Sequence, residues 1–295
     1  MIEDLKIGLV VSGGMAVGAY HAGALKALSE VVPRSCIKVI STSSIGALNS
    51  YAYATGKIAL LEACWKDVPT TGLWSMFRAL RRDDIFFQYI DRVVTEGDVM
   101  DTRLFISTSD FKKPLVEYWC FEGQYQPRWR TLVYESASFP FLVPRLRSEK
   151  KRRFDGGLFD NIPVYPLFYE KGLDMVMILH SDPKFTPPEE IFSDGKLVFD
   201  YDVNLGMCKV IDHYKFDQKR LGSWFDNGYE CAKTVFTDLF ANTTTKEELR
   251  AKIIDFYKAH LEERKNNRRT ADSVCSMCNN IFWNIFGKKE HENYE

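Results

Sequence analysis

The sequence predicts an α/β fold. Short apolar runs rich in β-branched residues, at 6–11 and 37–40, have the length and character of buried strands. Each stops in a cluster of small residues, and a helical pattern opens directly after each cluster. The chain has 295 residues, 45% hydrophobic and 27% charged, which suits one large α/β domain or two small ones. A formal net charge of −1 argues against a nucleic-acid binder that works through a global electrostatic field.

Residues 6–11 form the first expected strand, which opens into Ser12-Gly13-Gly14-Met15-Ala16-Val17-Gly18 and a helix over 19–31 rich in alanine and leucine. Adjacent glycines after a strand turn the backbone tightly and present successive N–H groups at a helix N-terminus that favours negative charge. A phosphate-binding Walker loop would end in Gly-Lys-Ser/Thr, which is missing, and a dinucleotide fingerprint needs a different glycine spacing. The remaining readings are an oxyanion hole, in which N–H groups hold the charge developing on a carbonyl under attack, and a plain strand–helix turn.

The second strand ends in Thr42-Ser43-Ser44-Ile45-Gly46, with helical patterning from about 45 to 55 and again over 58–67. A serine on a sharp strand-to-helix turn is how a Gly-x-Ser-x-Gly elbow presents a nucleophile. Centred on Ser44 the last glycine is present and the first is threonine; centred on Ser43 both are missing. Ser44 is therefore the candidate. Because this elbow follows the next strand, the oxyanion reading of the glycine loop gains most.

Residues 69–95 are aromatic-rich, with Trp74, Phe77, Phe86, Phe87 and Tyr89 among basic residues, and read either as the cap of an acyl pocket or as core aromatics of short helices. Strands are expected at 103–109 and 115–121, joined at Lys112-Lys113-Pro114, and a helix at 128–135 before Ser136-Ala-Ser-Phe-Pro140. The run Arg153-Phe-Asp155-Gly156-Gly157-Leu-Phe-Asp160-Asn161-Ile-Pro163 sets a carboxylate on a tight turn, from which it can reach a neighbouring loop.

With Ser12-Gly-Gly-Met-Ala-Val-Gly18, Ser43-Ser44-Ile-Gly46-Ala-Leu-Asn49 and Asp155-Gly-Gly157 in that order, the chain resembles the patatin-like phospholipase family over residues 5–180, with a looser echo at 220–232. The resemblance implies a three-layer α/β/α fold with a mostly parallel central sheet, and a Ser–Asp dyad without histidine that cleaves acyl esters of lipids. Carried over, Ser44 is the nucleophile, Asp155 the general base, and N–H groups near Gly13, Gly14 and Met15 the oxyanion hole. A buried carboxylate beside a hydroxyl has its pKa raised, which makes it a better base. His21, facing out of the first helix or packed on it, and His180, at the end of a strand over 175–179, offer no better claim.

Three departures qualify the expectation. Thr42 replaces the elbow's first glycine, where a β-branched side chain should crowd the turn. Met15 stands where the family usually has a third glycine, and disfavours positive φ there. Val17 stands where the family usually has a basic residue, which removes an anchor for the loop. The alternative to an active hydrolase is a catalytically degenerate lipid- or membrane-binding relative.

The remaining chain reads as a domain over 1–241 and a C-terminal helical extension over 242–295, with long helices at 202–240 and 246–264. The basic run 145–153 beside Asp155 reads as a headgroup-attracting patch or a solvated hairpin tip. Basic residues followed by apolar positions at helical spacing over 271–289 suit a helix in a lipid interface or one docked on the domain. Cys275 and Cys278 would then be candidate acylation sites. The seven cysteines are odd in number and scattered, as reduced thiols of a cytosolic protein are; with no second close pair or histidines at ligand spacing, no metal is expected, and no cofactor. No window approaches the ~18 apolar residues of a membrane span, and Met1-Ile-Glu-Asp-Leu-Lys6 is no secretory leader. The expected setting is the cytoplasm, with peripheral membrane contact through 145–153 and 271–289, a lipid or phospholipid substrate, and no nucleic-acid partner.

Overall fold

The computed structural model describes residues 4–68, 85–110, 115–138, 153–204, 212–213 and 216–262. Its strands are β1 (Ile7–Val11), β2 (Ile37–Thr42), β3 (Val99–Asp110), β4 (Leu115–Gln124), β5 (Arg153–Asp155), β6 (Met175–His180) and β7 (Leu197–Asp202). Its helices are α1 (Gly18–Val31), α2 (Gly46–Ala54), α3 (Ile58–Lys66), α4 (Ile85–Val93), α5 (Pro127–Ser136), α6 (Tyr165–Phe168), α7 (Gln218–Phe240) and α8 (Lys246–Ala259).

Among the described residues the sheet runs in the order β4-β3-β2-β1-β6-β7, with β5 paired to β3 off that path. The pairs from β3 through β2, β1 and β6 to β7 are parallel, while β4 and β5 both run antiparallel to β3. This is an α/β fold with a mostly parallel sheet. β1 shows why its run is apolar on every residue: Ile7, Leu9 and Val11 pack into one core and Val10 into another on the opposite face. The larger core takes side chains of α1, α2, α3, α7 and α8; the smaller is closed by α6 and a short 3₁₀ segment at 189–195.

Two helix boundaries differ from expectation. The helix expected from 202 begins at Gln218, where Asp217 caps it by accepting from the Arg220 N–H at 2.9 Å. Ahead of it lies β7, which the sequence reading did not name. Leu197, Phe199 and Tyr201 enter the larger core on alternate positions, but Asp200 and Asp202 interrupt the apolar run and mask the strand. The second helix runs from Lys246 to Ala259, with a turn at His260 and helical residues again at 261–262, and starts on a capping box between Thr245 and Glu248. Its Leu249 and Ile253 join the larger core, and the Tyr257 hydroxyl donates to Asp200 Oδ1 at 2.7 Å on β7.

Several expectations fall outside the described residues: Trp74 and Phe77, the side chains of Phe86 and Phe87, the 112–114 turn, Pro140, the basic run up to residue 152, and the tail at 271–289 with Cys275 and Cys278. Of the basic run, Arg153 is described; its Nε donates to Glu117 Oε2 at 2.7 Å and its guanidinium lies over the Trp119 ring. No helix among the described residues is long and apolar enough to cross a membrane.

Candidate active site

Ser44 sits between β2 and α2 with φ at 53°, in the left-handed region that costs a non-glycine residue about 1–3 kcal/mol. The chain reverses from strand to helix within Ser43, Ser44 and Ile45, which leaves the Ser44 hydroxyl above the C-terminal edge of the sheet. Thr42, expected to crowd this turn, is accommodated instead. Its side chain is buried, and its Oγ1 donates to the Val11 carbonyl of β1 at 3.0 Å, so the β-branched residue ties the two strands together.

Asp155 arrives opposite Ser44 because of how β3 is shared. β2 pairs with β3 only as far as Thr42 against Ile106, and β5 pairs with β3 from Thr108, opposite Asp155, onward. The two short segments occupy successive lengths of one β3 edge, and Asp155 lies about two residues, or ~7 Å, beyond the end of β2. A residue just past Thr42 therefore meets it. The Ser44 Oγ–H donates to Asp155 Oδ2 at 2.6 Å, and the Gly157 N–H donates to Oδ1 at 2.8 Å. Asp155 is 2% exposed and Ser44 6%. Burial pushes the Asp155 pKa up to about 7, against the opposing pull of those two hydrogen bonds. Gly156 lies flat on β3: a Cβ there would stand 2.5 Å from the Ser107 carbonyl oxygen.

The glycine loop closes the third side. A Cβ on Gly13 would lie 2.6 Å from the Ser44 Cβ and 2.4 Å from Asn161 Oδ1, so the bare backbone is what lets the loop touch the elbow. The Gly13 N–H donates to Ser43 Oγ at 3.0 Å and to the Asn161 carbonyl at 3.1 Å, and the Ser43 hydroxyl also donates to that carbonyl, at 2.8 Å. Ser43, set aside as an elbow centre, is thus a tie between the three loops. Asn161 lies within the run that carries Asp155, but no feature of type or spacing distinguishes it there. Met15 takes φ at 50° despite its side chain.

Histidines stand behind the loop rather than in the dyad. His21, which the sequence placed outside or against the first helix, is fully buried, with Nε2 3.1 Å from Ser12 Oγ. Burial pushes its pKa down to about 3, so it is neutral. His180 ends β6, as expected. Among the described residues, no histidine hydrogen-bonds to Ser44 or Asp155.

Residues 9–168 match the family described as patatin-like phospholipase, which is more than half of the chain. The chain belongs to the patatin-like phospholipase family. A curated relative, the lysophospholipase NTE1 of Yarrowia lipolytica, is 26% identical over 192 residues, which cover 56% of this chain and 12% of that protein. The chain thus spans about an eighth of that relative. Solved structures that align with this chain include human GIVD cytosolic phospholipase A2, at 10% identity and a TM-score of 0.49 over 90% of this chain and 60% of that one. VipD from Legionella pneumophila aligns at 12% identity and a TM-score of 0.41 over 98% of this chain and 81% of that one. The family match ends at α6, so β6, β7, α7 and α8 of this patatin-like chain lie beyond it.

Proposed function

We propose that this patatin-like chain is a serine acyl hydrolase of lipid esters, with Ser44 as nucleophile and Asp155 as general base. The observation that carries the reading is the 2.6 Å hydrogen bond from the Ser44 hydroxyl to a buried carboxylate held near neutral pKa. Asp155 Oδ2 takes the proton as Ser44 Oγ attacks the ester carbonyl carbon, and returns it to the departing alcohol oxygen. Water then loses a proton to Asp155 and attacks the acyl-enzyme; the fatty acid leaves and Ser44 regains its proton. Since the Gly13 N–H is bound within the fold, we assign the oxyanion to the N–H groups of Gly14 and Met15, with Gly13 setting their position.

Phospholipids and lysophospholipids are the first substrates to assay, because the curated relative is named a lysophospholipase. The test begins with a fluorophosphonate probe, which reacts only with an activated serine. Ser44 is expected to carry the label by mass spectrometry. Ser44→Ala and Asp155→Asn should each lose at least ~10³-fold in turnover on a lipid panel, with and without vesicles. Wild-type turnover in either variant overturns the dyad. Lipid binding by a wild-type chain that the probe never labels would favour the degenerate, non-catalytic reading instead.

A further inference from the structure

An oxyanion hole needs its N–H groups held in place before the reaction, and the described residues show what holds them. His213 is 3% exposed, and its Nδ1 lies 3.0 Å from the Gly14 carbonyl oxygen, 199 positions away in sequence. The Val17 N–H donates to the same oxygen at 3.0 Å. A carbonyl oxygen accepts only, so His213 is the donor and carries its proton on Nδ1, and both lone pairs of that oxygen are engaged. The peptide is planar and trans, so fixing the Gly14 carbonyl toward His213 aims the Met15 N–H the opposite way.

The preceding peptide is held by the same device. The Ser12 hydroxyl donates to the Gly13 carbonyl at 2.9 Å, and its oxygen lies 3.1 Å from His21 Nε2. Carbonyls of Gly13 and Gly14 are thus tied from behind, which leaves the N–H groups of Gly14 and Met15 on the opposite edges of their peptides. Met15 sits at φ 50°, a conformation that persists only where surroundings over-determine it. Val17 is buried and apolar, so its side chain offers the loop no donor. The donor comes from outside the family match, beyond residue 168.

We infer that His213 is a positioning residue for catalysis: it holds the Gly14–Met15 peptide so that the Met15 N–H faces the oxyanion formed when Ser44 attacks. The inference rests on the Ser44–Asp155 reading. It assigns His213 no proton transfer; the imidazole acts only through the peptide plane.

The test uses His213→Ala, His213→Asn and His213→Gln in the full chain. An asparagine amide nitrogen stands about where Nδ1 stands, whereas a glutamine amide reaches toward the place of Nε2. The readouts are kcat and KM on a soluble acyl ester, the rate of Ser44 phosphonylation by the fluorophosphonate, and the melting temperature. His213→Ala is expected to lower kcat about 10- to 100-fold, less than outright loss of an oxyanion donor, with phosphonylation slowed alike and KM little changed. His213→Asn should recover most of the loss and His213→Gln should not, at similar melting temperatures. Should His213→Ala fail to fold, the Asn and Gln pair decides: an Asn variant no faster than Gln overturns the inference. A His213→Ala chain labelled at Ser44 as fast as wild type overturns it alone. A wild-type chain unlabelled at Ser44 overturns the dyad, and this inference with it.

Discussion

At the scale of single residues, Asp155 carries both chemistry and instability. Its folded pKa of about 7 lies above the value near 3.8 expected of the unfolded chain. Between those limits the folded state holds a proton that the unfolded state releases, so the contribution to stability is full below about pH 4 and is lost as pH rises through 7. The difference corresponds to on the order of 4 kcal/mol once the group is ionised. The same ionisation creates the base that Ser44 needs. Two outcomes are expected. The ratio kcat/KM should rise with pH through a single ionisation near 7 and level off above it. Asp155→Asn, which still offers an acceptor to Gly157 and a polar partner to Ser44, should melt above wild type at pH 8 and level with it near pH 4, by calorimetry across that range. An Asp155→Asn chain that melts lower at pH 8 would mean that the carboxylate stabilises the fold when charged.

At the scale of elements, β5 is only three residues long, and its position depends on close contact with β3. Gly156 provides that contact. Gly156→Ala would set a methyl 2.5 Å from the Ser107 carbonyl oxygen and 2.6 Å from its carbon, both backbone atoms that yield only if a strand moves. The expected result is a loss of about 1–3 kcal/mol in urea unfolding. A fall in kcat of about 100-fold should accompany it, since displacing the base by an ångström has that scale of effect. Gly97→Ala, with open space around it, serves as the neutral control. β5 also shows where reading the sequence stops. β1 and β6 were legible because burial on both faces makes their runs nearly continuously apolar, and β2 because β-branched Ile37, Val39 and Ile40 flank a single exposed Lys38. β5 is too short to show any period, and β7 was hidden by Asp200 and Asp202. Nothing local to residue 44 or 155 encodes their meeting; it follows from two segments sharing one edge of β3, and only the order of the motifs hinted at it. A lone histidine such as His213, inside a stretch that the sequence reads as part of one long helix, gives no signal of its own.

At the scale of the whole molecule, the seam between α1 and α7 joins the family-matching part to the chain beyond it. Backbones nearly touch there. A Cβ on Gly228 would lie 2.4 Å from the Tyr20 carbonyl oxygen and 2.7 Å from its Cα. α1 follows directly from the glycine loop, and α7 begins five residues after His213, so both partners of the His213–Gly14 contact lie close in sequence to the seam. Gly228→Ala should then separate the helices, with a loss of about 1–3 kcal/mol read from the urea midpoint at unchanged slope. Gly222→Ala on the same helix meets nothing nearer than Lys66 Cγ at 3.8 Å, and should stabilise by about 0.5–1 kcal/mol through helix propensity alone. The two substitutions are chemically identical, so opposite signs isolate the close approach. If the seam acts on turnover through His213, the fall in kcat caused by Gly228→Ala should shrink in a His213→Ala background, since both changes then loosen the same peptide. Fully additive losses in kcat would mean that the helix seam supports the fold without aiming the loop.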